Sequence, residues 1–151
     1  MFTAYEYRTR RVKVAERLGP IHSPADVVAV LSEYLRPDAD ETEQLAVVAL
    51  DSTNAVVGLE RVYRGHATGC SVRLGELFRF AVRIGAAGII VCHTHPAGDP
   101  APSDADLALT VDLQRAGRLL DIELVDHLIL GTEGRSLSLR ASGHLRPLLT
   151  A

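Results

Sequence analysis

The fourteen positions from His93 to Asp106 hold two imidazoles, several carboxylates and a set of Gly and Pro breakers: His93-Thr94-His95-Pro96-Ala97-Gly98-Asp99-Pro100-Ala101-Pro102-Ser103-Asp104-Ala105-Asp106. His93 and His95 lie two apart, so both rings share a side if strand geometry persists to that point. Neutral imidazole nitrogens and a carboxylate oxygen are ordinary zinc ligands, and Asp106 can supply the third if the chain turns back through Pro96 to Pro102. Three protein ligands plus a water leave an open position, which is how catalytic zinc sites differ from closed structural ones. Asp106 also has a purely architectural reading. Ser103-Asp104-Ala105-Asp106 spells an N-cap box, in which the carboxylate reaches back to the cap amide and complements the helix dipole. Cys92 adjoins His93 but belongs to the opposite face, where it reads as a small core residue.

The elements that must position these residues follow from periodicity and breakers. Residues 5–14 alternate loosely and end Val12-Lys13-Val14, which predicts an edge strand. Ser23-Pro24-Ala25-Asp26 starts a helix, with Val27, Val30, Leu31, Tyr34 and Leu35 at helical spacing until Pro37. Leu45 to Leu50 and Val56 to Val62 read as a hairpin around Asp51-Ser52-Thr53-Asn54. Leu77 to Ile84 forms a second helix stopped by Gly85. Gly88 to Cys92 is too apolar for a surface strand and is expected at the sheet centre, covered on both faces. A third helix spans Ser103 to Leu120, and Ile122 to Leu130 and Leu137 to Leu139 complete the strands. This order predicts an α/β fold, a sandwich around a mixed sheet.

The chain has 151 residues, 47% of them hydrophobic and 23% charged, which suits one folded domain and argues against disorder. Two Cys exclude a disulfide scaffold and suit a reducing compartment. A net charge of −3 supplies no broad basic field, so a nucleic-acid partner is not expected. The start Met1-Phe2-Thr3-Ala4-Tyr5-Glu6 lacks the pattern of a signal peptide, and the apolar runs are too short to span a bilayer. A cytoplasmic location is expected. Arg8, Arg10, Arg11 and Lys13 read as a solvated strand face; His22, His66 and His144 lack ligand spacing and read as ordinary polar residues.

The spacing His93-Thr94-His95, seven residues, Ser103, two residues, Asp106 resembles the signature of the JAMM/MPN+ metalloproteases. More specifically, the chain is similar to the RadC-like JAB domain family. The matching residues are Gly65, the run Ala86 to Pro100, Pro102-Ser103-Asp104-Ala105-Asp106, Thr110 and Val125-Asp126-His127-Leu128-Ile129. The resemblance covers about residues 22–140. It implies a three-layer α/β/α sandwich of cytidine-deaminase-like type, a bound Zn2+ on His93, His95 and Asp106, and peptidase or isopeptidase chemistry on a protein or peptide substrate. Full-length RadC proteins carry a helix-hairpin-helix module in front, for which this chain is expected to have no room. Thr94 and Ala97 stand where the RadC pattern has Asn and Ser, and Leu74-Gly75-Glu76 keeps only the Glu of its Pro-Arg-Glu.

The resemblance further requires a glutamate at the start of the first core strand. Glu43 is the favoured match, Glu60 its rival and Glu41 a weaker one. Such a glutamate takes a proton from the attacking water and delivers it to the leaving amine. The resemblance assigns Ser103 to the developing oxyanion. A hydroxyl that accepts a cap bond keeps its proton to donate, so both duties are compatible. Asp126-His127 reads as structural, or as support for a ligand histidine. The alternative function is a non-catalytic, metal-stabilised JAB module that binds a protein or nucleic-acid partner. A nuclease with a second metal on Asp99 and Asp104 is a third reading, but those residues fit a turn and a helix start better.

Overall fold

The computed structural model describes residues 20–65 and 72–146. The elements are α1 (Pro24–Leu35), β1 (Glu43–Leu50), β2 (Val56–Gly65), α2 (Leu74–Ile84), β3 (Gly88–Thr94), α3 (Asp104–Leu120), β4 (Glu123–Leu130) and β5 (Ser136–Ser138). The strands form one five-stranded sheet in the order β2-β1-β3-β4-β5. Among the described residues only β3 and β4 pair parallel, joined by the α3 crossover; the other neighbours are antiparallel. The sheet is therefore mixed, as expected.

Alternation along the central strands sorts side chains between two apolar layers. Leu45, Val47 and Ala49 of β1, with Ile89 and Val91 of β3, pack against Leu77, Phe78 and Ala81 of α2 and Leu113 of α3. Ala46, Val48, Leu50, Ile90 and Cys92 face the other way, against Val27, Leu31 and Leu35 of α1. With helices on both faces, β3 is buried along its whole length, and β1 from Gln44 to Leu50. Near-continuous apolar strands are what such double coverage demands. Cys92 lies in the α1 layer, opposite His93, and burial followed by the charge of Asp126 raises its thiol pKa.

The boundaries differ modestly from expectation. β1 begins at Glu43 rather than Leu45, β2 runs on to Gly65 rather than stopping at Val62, and α2 starts at Leu74. At the β1 start, Thr42 takes the Asp40 Oδ1 with both its amide (3.0 Å) and its hydroxyl (2.6 Å), while Arg64 Nε reaches Asp40 Oδ2 at 2.8 Å. This clamp carries the hairpin ladder out to the pair Glu43↔Gly65. The edge strand expected at 5–14, its basic residues Arg8, Arg10, Arg11 and Lys13, and also His66 and Cys70 lie outside the described residues. No helix among the described residues is long and apolar enough to cross a membrane.

Candidate metal centre

β3 holds His93 buried near its end on the α2/α3 side, and α3 returns Asp106 to meet it. His93 Nε2 lies 2.9 Å from His95 Nε2 and 3.1 Å from Asp106 Oδ1, and His95 Nε2 lies 3.2 Å from Asp106 Oδ2. These three residues are the group of His, Cys, Asp and Glu side chains, among the described residues, able to hold a metal ion. A tetrahedral zinc with bonds of 2.0–2.1 Å sets its ligand atoms about 3.3 Å apart, close to the separations found here. The donor set fits that ion. The side chains of His93, Asp106 and His95 are 2%, 12% and 19% exposed, so the cluster opens to solvent on the His95 side.

Local structure explains the placement of each ligand. After β3 the His95 amide still donates to Leu130 O at 2.8 Å, while the His95 carbonyl accepts from Gly98 N in a tight turn. His95 Nδ1 meets the Asp99 carbonyl at 2.9 Å. A carbonyl can only accept, so Nδ1 bears a proton, and when the ring is neutral Nε2 turns its lone pair to the cluster. Asp106 forms the expected capping box. Its Oδ2 accepts from Ser103 N at 2.7 Å, and its own amide donates to Ser103 Oγ at 3.1 Å.

Electrostatics follow from this packing. Burial alone would raise the Asp106 carboxyl, but His93 and His95, which in their protonated forms donate to it from Nε2, outweigh burial and hold the group well below the ordinary carboxylate range. Bonding to Asp106 raises His95 against the effect of burial, helped by the Asp99 carbonyl and the charges of Asp106 and Glu43. Burial, reinforced by His93, pushes His127 down to about 3.

Glu43 begins β1 on the same face as Leu45 and Val47, towards α2 and α3. The β1–β3 register pairs Leu45 with His93. Gln44 N then donates to Thr94 Oγ1 at 3.0 Å, and Glu43, the residue before it, is close enough for its charge to help raise His95. Glu60 is a mid-strand residue opposite Val47, because β2 extends beyond it. Four strand positions separate it from the Glu43 end, about 13 Å at the usual rise. Glu41 is exposed and precedes the strand.

The pair Asp126-His127 divides. Asp126 accepts from His127 N, Ser138 Oγ and Arg140 N and so ties β4 to β5 and the following turn. His127 Nε2 instead lies 2.9 Å from His93 Nδ1, and its Nδ1 lies 2.7 Å from Thr110 Oγ1. No local spacing signals this contact, which crosses the parallel β3–β4 pair. The Asp99 carboxylate caps its own turn through Ala101 N, and Asp104 is an exposed first residue of α3. His22 and His144 are exposed.

A family model described as RadC-like JAB domain matches residues 21–144. Similar curated proteins include the UPF0758 protein of Chloroflexus aurantiacus, 46% identical over 136 residues (90% of this chain, 58% of that protein). That of Roseiflexus castenholzii is 39% identical over 150 residues (91% and 63%), and that of Clostridium kluyveri 40% over 125 residues (83% and 54%). The chain thus spans less than two thirds of the length of these relatives. With the family's matching segment covering the sheet, all three helices and the ligand cluster, the chain belongs to the RadC-like JAB domain family.

Proposed function

We propose that this chain is a zinc-dependent hydrolase acting on peptide or isopeptide bonds. The observation that supports this most is the convergence of His93 Nε2, His95 Nε2 and the Asp106 carboxylate within 2.9–3.2 Å, beside the strand end that carries Glu43. His93, His95 and Asp106 would hold the ion. Zinc in such a site acidifies water and polarises a carbonyl. Glu43 takes the water proton on its carboxylate and gives it to the leaving nitrogen. Ser103 Oγ accepts the Asp106 amide, and its hydroxyl proton is directed to the carbonyl oxygen as that atom gains negative charge. The substrate is a protein or peptide, and the setting is cytoplasmic.

The test is digestion of a peptide library by zinc-loaded protein beside Glu43→Gln. The variant should bind zinc as the wild type does and lose cleavage by about 10²-fold or more, the usual worth of a proton-transfer group. Equal cleavage by both proteins would remove Glu43 from the role. A wild type that binds zinc, melts higher with it and cleaves nothing would favour the metal-stabilised binding module instead.

A further inference from the structure

We propose that Thr110 and His127 are positioning residues that set the tautomer of His93, holding its Nε2 lone pair toward the metal; this rests on the metal-site reading above. The argument starts at Thr110, which is buried on α3. Its Oγ1 lies 2.7 Å from the Asp106 carbonyl and 2.7 Å from His127 Nδ1. The carbonyl has no proton to give, so the single hydroxyl proton of Thr110 goes there. The contact with His127 is then a bond in which Nδ1–H donates to Oγ1.

His127 is fully buried, which favours its neutral form, so with its proton on Nδ1 it presents a lone pair at Nε2. That lone pair faces His93 Nδ1 at 2.9 Å, and His93 must therefore carry its own proton on Nδ1. With both rings neutral, His93 Nε2 is left bare, as His95 Nε2 is through the Asp99 carbonyl. A backbone carbonyl in α3 thereby fixes a proton on a β3 histidine through two intervening side chains. Removing the Thr110 hydroxyl lets the His127 proton move to Nε2, where it donates to His93 Nδ1 and drives the His93 proton onto Nε2, into the path of the ion.

The experiment compares full-length wild type, Thr110→Val and Thr110→Ser. Imidazole nitrogen NMR on metal-stripped protein above pH 8 reads the tautomers, and competition with a chromophoric chelator reads zinc affinity. In the wild type, His93 and His127 should both be protonated at Nδ1. The isosteric T110V should move both protons to Nε2 and weaken zinc binding about 10- to 100-fold, the usual effect of losing such support, while T110S restores both readouts. A proton on Nε2 of His93 in the wild type overturns the proposal without need of any variant. So does a T110V protein that binds zinc as tightly as the wild type, and in that case the metal-site reading stands. Failure of the wild type itself to bind zinc overturns the metal-site reading.

Discussion

Asp106 Oδ2 accepts the Ser103 amide at 2.7 Å, while Oδ1 stands 3.1 Å from His93 Nε2. One carboxylate thus anchors the start of α3 and belongs to the group that could hold a metal ion. The spacing of Ser103 and Asp106 exposed both readings, because a capping box and a helix-borne ligand require the same residue at the same position. Substitution separates them. Ser103→Ala removes an N-cap acceptor and should cost about 1 kcal/mol in urea unfolding of metal-free protein, with zinc affinity changed little. A tenfold loss of zinc affinity in that variant would show that the cap orients the ligand as well. His93, His95 and Asp106 were legible because their spacing along strand, turn and helix is local. The contact of His127 with His93 was not, because it depends on the parallel register of β3 beside β4.

Two short segments set the ligand-bearing elements in place. The turn that carries His95 is bolted to the loop after β4: a Cβ on Gly131 would collide with the Gly98 carbonyl oxygen, and Gly98 itself sits at φ +94°. Gly131→Ala should therefore destabilise the protein by about 1–3 kcal/mol, the usual cost of overpacking, and lower zinc affinity in parallel. Gly75→Ala, whose Cβ meets nothing within 4 Å, provides the contrast and should leave both unchanged or slightly improved. Unaltered zinc affinity in Gly131→Ala would mean that the turn does not position His95. At the other segment, the Thr42 hydroxyl, followed by Arg64, holds the Asp40 carboxyl at about 2, below its ordinary 3.8. The folded value is depressed, so the contribution is complete above about pH 4 and fades as pH falls towards 2. The stability gap between wild type and Asp40→Asn should be constant at neutral pH and close over that window, as pH-dependent denaturation would record. A gap that stays open at pH 2 contradicts the assignment.

Across the whole molecule, the apolar run of β3 revealed that this strand lies at the centre, because helices on both faces require apolar side chains in both directions. The strand order β2-β1-β3-β4-β5 was not legible in the same way, since pairing of distant strands leaves no local trace. Nor was the early start of β1 at Glu43, where the Asp40–Arg64 ion pair joins residues far apart in the chain. That start puts Glu43 within the sheet, one residue before the Gln44–Thr94 contact, on the face of β1 that looks towards α2 and α3. The most direct test of a metal centre at this point is a calorimetric zinc titration of metal-stripped wild type, Glu43→Gln and Asp106→Ala, because ligands and neighbours then separate in one readout. The account predicts about one zinc per chain at similar affinity in wild type and Glu43→Gln, and at least a tenfold loss in Asp106→Ala. Equal zinc binding by Asp106→Ala, or no zinc binding by the wild type, would contradict it.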